Sequence, residues 1–204
     1  MNLYEKIENH LQQRSRVNVV IAGITCSGKT TLANAIRKHF SDKYKVAIIS
    51  QDDYFKNIWD IPNSRKGVLA DGFDAFWTEE FQYDVSMLLK NGVVMTPRYD
   101  IASNTRLSKN KIVRAGRINV FEGLHTIHIL EDLNNSIFVY VDTDVDTCLE
   151  RRVARDTSKY HIPEPRVRQY WKDCIIPLSE IYVFPQKARA DIIINGKGGD
   201  EYDS

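Results

Sequence analysis

Four residues in the stretch "GITCSGKTTLA", namely Gly23, Gly28, Lys29 and Thr30, fall at the spacing GxxxxGK[ST]. Glycines at those positions let successive backbone N–H groups wrap a polyphosphate, and the lysine reaches the outer phosphates. The threonine hydroxyl can join the shell of a Mg²⁺ ion. Thr25, Cys26 and Ser27 form the body of the loop and Thr31 follows it, so each is a candidate contact to a bound polyphosphate. The pattern carries meaning only between a strand and a helix. Here the apolar run Val17 to Ala22 precedes it, and Leu32, Ile36 and Phe40 mark one stripe of a helix after it.

Carboxylates supply the second half of a phosphoryl-transfer chemistry. "AIISQDDYFK" places Asp52 and Asp53 at the carboxyl end of the next strand, the edge where open α/β sheets bind ligands. One of them can accept the proton of an attacking hydroxyl near Mg²⁺. "INVFEG" ends a third strand with Glu122 at the same edge, suited to holding a Mg²⁺-bound water.

These residues need a sheet to hold them. Five β-rich apolar runs, centred on Val17 to Ala22, Val46 to Ser50, Ile118 to Phe121, Ile137 to Val141 and Ile192 to Ile194, alternate with helical stretches. Near-continuous apolar strands of this kind predict a three-layer α/β domain around a five-stranded parallel sheet. A further helix is predicted over Thr78 to Lys90, stopped by Asn91-Gly92. Residues 93–113 read as a hairpin-like excursion able to cover a substrate. Residues 151–185 read as a helix, a mobile connection and a second helix, with a lid at about 151–170. The 204 residues fit a single domain.

Composition narrows the partners. Lys and Arg number 28 against 27 Asp and Glu, so no overall basic field points to nucleic acid or an anionic membrane. The N-terminal Leu3, Tyr4, Ile7 and Leu11 predict an amphipathic helix rather than a signal peptide or a membrane span. Cys26, Cys148 and Cys174 lack paired or CxxC spacing, which favours a reducing cytoplasm over a disulfide framework or zinc site. His125 and His128 have no acid or cysteine at ligand spacing and read as structural. Trp59, Trp77 and Trp171 read as packing residues, and "NGKGGDEYDS" as a frayed tail.

The ordered set "GITCSGKTT", "SQDDYF", "PRYDIASNTR", "FEG", "VDTDVDTCLERRVARD", "RQY" and "ARADIII" resembles the uridine kinase family of P-loop nucleoside kinases, over about Val17 to Asn195. The first half is also similar to nicotinamide riboside kinases. The resemblance implies a P-loop NTPase fold with a hairpin insertion and helical lid, and phosphorylation of a ribosyl 5′-hydroxyl by ATP with Mg²⁺. It makes Asp52 the catalytic base with Lys29 on the phosphates, and Asp53 the neighbour of that base. Thr30 and Glu122 become the metal residues, and Arg152 and Arg155 the lid arginines that clamp ATP. On the acceptor side it implies Asp84 on the ribose hydroxyls beside Tyr83, with Asp74 a rival for Asp84. Tyr99 would stack on the base with Arg106 nearby, and Gln169 would line the nucleoside site. Two positions depart from the family pattern. Asn104 stands where those enzymes carry a base-reading histidine. Ser158 to Pro163 replaces an arginine-bearing, glycine-containing turn, for which Arg166 or Arg168 could compensate.

Uridine or cytidine is thus the expected acceptor, with nicotinamide riboside or another small hydroxylated metabolite as alternatives. A nucleotide-binding regulator that transfers nothing is the reading from a different class. A homo-oligomer is compatible with all of them.

Overall fold

The computed structural model describes residues 1–57, 60, 71–100, 103 and 105–196. Asn104, Trp59 and the tail from residue 197 lie outside the described residues.

Two strands, β1 (Val17–Ala22) and β5 (Ile118–Glu122), are buried along their whole length and form the middle of the sheet. With β2 (Val46–Ser50), β6 (Ser136–Val141) and β7 (Ile192–Ile194) they make a five-stranded parallel sheet in the order β2-β5-β1-β6-β7. The pleat of β1 divides two cores. Val17, Val19 and Ile21 face α1 (Leu3–Gln13) and α2 (Lys29–Phe40) through Leu3, Ile7, Leu32, Ile36 and Phe40. Val20 and Ala22 face the opposite layer, where Phe81, Val85 and Leu88 of α3 (Thr78–Asn91) pack with Ile127 of α4 (Thr126–Ile129). Both faces are covered, as near-continuous apolar strands require. Among the described residues no helix is long and apolar enough to cross a membrane.

The expected excursion is an antiparallel pair, β3 (Val93–Asp100) and β4 (Thr105–Arg114). Its register shifts between Thr96 and Arg98, around Pro97, which has no N–H to give the ladder. The stop at Asn91-Gly92 is present, with Gly92 left-handed at φ 75° and its N–H on the Leu88 carbonyl.

The C-terminal half differs from the expected helix, connection and helix. α5 (Val145–Tyr160) begins upstream of Arg151 because Asp144 caps it, accepting from the Thr147 N–H at 2.9 Å. It ends at His161, which takes the left-handed conformation (φ 55°) usually left to glycine. α6 (Glu164–Tyr170) then runs through a π-helical turn, Trp171–Ile175, into α7 (Ile176–Tyr182). Pro177 near the start of α7 has no N–H for the helical ladder, and a local widening next to it is the usual accommodation.

Gly92 has open space where a Cβ would stand, so its left-handed backbone alone decides the effect of a side chain there. Gly92→Ala should lower stability by about 1–2 kcal/mol, read as a fall in the urea midpoint with an unchanged slope.

Candidate active site

The loop between β1 and α2 is built by backbone conformation. Gly23 lies at φ 153°, Cys26 at φ 61° and Gly28, the residue capping α2, at φ 106°. A Cβ on Gly23 would stand 2.6 Å from the Val141 carbonyl oxygen and 2.8 Å from Ser27 Oγ, so only glycine fits. Lys29 folds back over the loop and donates from Nζ to the Ile24 carbonyl at 2.8 Å. Thr143 and the segment after β7 brace the loop from behind. Thr143 Oγ1 donates to the Ser27 carbonyl at 2.6 Å, with the Gly196 carbonyl sharing that proton at 3.1 Å. The buried Ser27 hydroxyl has no hydrogen-bond partner among the described residues, which is the state of a group waiting for an acceptor oxygen.

Glu122 ends β5 beside this loop, only 2 % exposed, and accepts from Thr30 Oγ1 at 3.3 Å. Burial, reinforced by the charge of Asp52, pushes its pKa up to about 7. A carboxyl in that position becomes a comfortable anion when a cation arrives. Thr30 and Glu122 therefore fit a Mg²⁺ ion carried in with a polyphosphate. Among the described residues no three or more His, Cys, Asp and Glu side chains converge as a protein-only cage, and Mg²⁺ at phosphates is typically held by one or two protein groups plus phosphate oxygens and water.

Asp52 and Asp53 leave β2 in a 3-10 turn, Gln51–Tyr54, whose start is held by Ser50 Oγ accepting from the Asp52 N–H. Their surroundings separate them. Asp53 is paired with Lys111 of the hairpin at 2.8 Å. Asp52 opens onto the cleft, yet enough protein hems its carboxyl that burial raises the pKa above the ordinary aspartate value. Lys29 opposes that rise and the charge of Asp71 adds to it.

Arg152 and Arg155 come to the same place from α5. Arg152 donates to Thr25 Oγ1 in the loop at 3.0 Å and lies 3.4 Å from Asp71, while Asp156 bridges the two arginines at 2.9 and 2.8 Å. The charge of Arg155 is felt at Asp52. Two contributors escaped the sequence. Arg151 donates to the Cys26 carbonyl at 3.4 Å and to that of Gly196 at 3.2 Å, bracing the loop from α5. Asp71 is a buried acid between Arg152 and the Asp52 turn. Its local string "ADGFDAF" has no helical or strand period, so only the fold could bring it there.

The acceptor side is arranged differently from the expectation. Asp84, 1 % exposed, accepts from Tyr54 Oη at 2.9 Å and from Lys109 Nζ at 2.6 and 2.8 Å, beneath the hairpin. Tyr83, one helical step round α3, is 59 % exposed and is not brought to the loop. Asp74, the rival, faces solvent. Tyr99 does reach the Asp52 turn. Its ring lies 5.2 Å from that of Phe55, which lies 4.2 Å from Phe76. Arg106 pairs with Glu80 at 2.6 Å and takes Asn57 Oδ1 on its backbone N–H, tying the hairpin to α3. Gln169 is exposed and bonded to Asp173, and Arg168 is held by Glu150 and Glu164. Thr31 lies on the exposed side of the first turn of α2.

A model of the phosphoribulokinase / uridine kinase family matches residues 19–200. A uridine kinase of Mycoplasma genitalium is 33 % identical over 179 residues, 86 % of this chain and 83 % of the relative. Among solved structures, a candidate fructose transport system kinase from Silicibacter sp. TM1040 superposes with TM-score 0.71 at 18 % identity, covering 95 % of this chain and 98 % of that one. A possible uridine kinase from Bacillus stearothermophilus gives TM-score 0.62 at 18 % identity, over 96 % and 100 %. At such identities the structural likeness concerns the fold.

Two predictions come from these charges. Folded Glu122 keeps its proton up to about pH 7, whereas in the unfolded chain it loses it near the ordinary glutamate value, so folding weakens as pH rises through that window. Glu122→Gln should therefore stabilise the nucleotide-free chain at pH 8, by on the order of 1–3 kcal/mol, and the gain should shrink toward pH 5 in urea titrations. Lys109→Met leaves the buried Asp84 carboxylate without its cation. The cost should be about 1–3 kcal/mol, at the low end of such losses because the ammonium is partly exposed. Adding Asp84→Asn should recover most of it in the same denaturation assay.

Proposed function

Since the chain belongs to the phosphoribulokinase / uridine kinase family, we propose that it transfers the γ-phosphoryl group of ATP to the 5′-hydroxyl of a ribonucleoside, uridine or cytidine foremost. The observation that carries the reading is the contrast between the two acids after β2. Asp53 is neutralised by Lys111, whereas Asp52 faces Lys29 across the cleft with a raised pKa, the condition of a base poised nearer to neutral pH.

In this reading the loop amides and the Ser27 hydroxyl hold the phosphates, and Lys29 exchanges the Ile24 carbonyl for them. Mg²⁺, held by Thr30 and Glu122, would neutralise phosphate charge when bound. Arg152 and Arg155, kept apart and oriented by Asp156, meet the charge that develops on the transferring group. Asp52 takes the hydroxyl proton. Asp71 holds the sugar hydroxyls, because it is the buried acid that borders both Asp52 and Arg152, whereas Asp84 is engaged by Tyr54 and Lys109 and covered by the hairpin. A carboxylate accepts from two vicinal hydroxyls at once, which favours ribose over a deoxy sugar. Tyr99, backed by Phe55, offers the face for a planar base. The "FQYDV" stretch that suggested nicotinamide riboside gives that acceptor no support, with Tyr83 turned outward and Asp84 covered.

Asp52→Asn should lower kcat with uridine about 10²–10⁴-fold, while the Kd for ATP in nucleotide titrations stays within about threefold, less than 1 kcal/mol. Near-normal turnover in that variant would remove Asp52 from the base role. ADP release that never depends on an added acceptor would replace the kinase by the regulator.

A further inference from the structure

His125 is completely buried, three residues beyond Glu122, with its ring between Phe73, Phe76 and Tyr182 at centroid distances of 5.4, 5.6 and 6.1 Å. An apolar ring would fill that space without desolvating two nitrogens, so the imidazole has to be explained by what it bonds. Its Nε2 lies 3.1 Å from the backbone carbonyl oxygen of Asp71. A carbonyl only accepts, so Nε2 carries the proton and Nδ1 is bare. Nδ1 makes no hydrogen bond of good geometry among the described residues; the Tyr182 backbone nearby favours a second proton only weakly, and that proton would place a buried cation among aromatic rings. Burial accordingly holds the pKa down at about 4.

The backbone N–H of the same residue donates to Gln51 Oε1 at 2.9 Å. Gln51 is fully buried and immediately precedes Asp52. Gly123 makes that approach feasible, since a Cβ on it would stand 2.4 Å from both Cβ and Oε1 of Gln51. One residue between β5 and α4 is thereby bonded to the segment that carries Asp52 and to the segment that carries Asp71. In the proposed function those are the two acids on either side of the acceptor hydroxyls, and the sheet ladder holds neither: Asp52 is in the 3-10 turn after β2 and Asp71 shortly precedes the 3-10 turn Phe73–Ala75.

We infer that His125 is a positioning residue for the acceptor: through the Asp71 carbonyl and the Gln51 side chain, it sets the distance between the Asp71 carboxylate and the Asp52 carboxylate. The inference rests on the assignment of Asp71 to the acceptor given above. It goes beyond that assignment by making a buried neutral imidazole, with no bond to the phosphate loop, a determinant of acceptor affinity. Nucleotide affinity depends on it far less, because Lys29, Ser27 and the loop glycines make no bond to His125 and the only route among the described residues is the 3.4 Å contact of Asp71 with Arg152, which Thr25 and Asp156 also hold.

Two variants separate positioning from packing. His125→Phe keeps a ring in the aromatic cluster and removes the Nε2 donor to Asp71 while leaving the backbone N–H to Gln51, and His125→Gln restores an amide N–H at the reach of Nε2. KM for the nucleoside, KM for ATP and kcat would be measured for both, with thermal midpoints. His125→Phe should raise the nucleoside KM about tenfold or more, since displacement of a reacting group by about an ångström has effects of that order. KM for ATP should stay within about twofold, and His125→Gln should return most of the loss. In an Asp71→Asn background, His125→Phe should add less than about twofold, because the residue it positions is already disabled. A lowered midpoint with both KM values unchanged, or an equal rise in both, would make His125 a packing residue and overturn the inference. Should His125→Phe not fold, the His125→Gln kinetics and the imidazole ¹⁵N spectrum of the wild-type chain decide. A proton on Nε2 at pH 7 is expected, and one on Nδ1 contradicts the geometry. Failure of the wild-type chain to phosphorylate any nucleoside would fall on the functional reading, and the ¹⁵N spectrum would still judge the bond to Asp71.

Discussion

Strand register at the carboxyl edge of the sheet is the constraint on which the rest of the molecule depends. Glu122 is paired with Ile21 on one side and with Ser50 on the other. The phosphate loop therefore begins, Glu122 ends and the Asp52 turn begins at one level, from three adjacent strands. A parallel sheet repeats the same edge for every strand, so three chain segments far apart in sequence deliver their functional ends to one cleft. A slip of one residue in β5 would turn Glu122 to the other face of the sheet and take Thr30 out of its reach.

That arrangement gathers acids that repel one another, and the fold assigns each a different fate. Asp53 and Asp84 are neutralised by lysines of the hairpin, Asp156 by Arg152 and Arg155 of α5, and Glu122 by retaining a proton until a cation arrives. Asp52 is left facing Lys29 with the charge of Asp71 nearby. The hairpin is then more than a cover. Lys109 and Lys111 remove two competing carboxylates from the cleft, while Arg106 secures the hairpin to α3. These hairpin pairs are only partly shielded from solvent, so added salt should weaken them more than it weakens the buried loop.

Much of this was legible in the sequence, for identifiable reasons. The five strands announce themselves because both faces of the sheet are covered and the runs are almost wholly apolar. The loop is legible because its conformation demands glycine at fixed spacing, and Asp52 and Glu122 because they stand directly at strand ends. The acceptor side was less legible. Asp84 sits in a good helical pattern beside a suggestive tyrosine, yet helix orientation turns it under the hairpin to Tyr54 and Lys109. Asp71 and Arg151 have no period or motif of their own. His125 has no acid or cysteine at ligand spacing, so nothing in the sequence marks it as more than a core residue. Its actual bonds go to a backbone carbonyl and a glutamine, which leave no spacing signal.

The central claim is that this edge brings a donor phosphate and a ribosyl hydroxyl together in one cleft. A ³¹P NMR spectrum of the products formed from ATP, Mg²⁺ and uridine tests it most directly. The account predicts ADP together with a phosphate resonance split by the two 5′-methylene protons of a nucleoside 5′-monophosphate. ADP accompanied only by inorganic phosphate, or a phosphate coupled to a ring proton of the sugar, would contradict it.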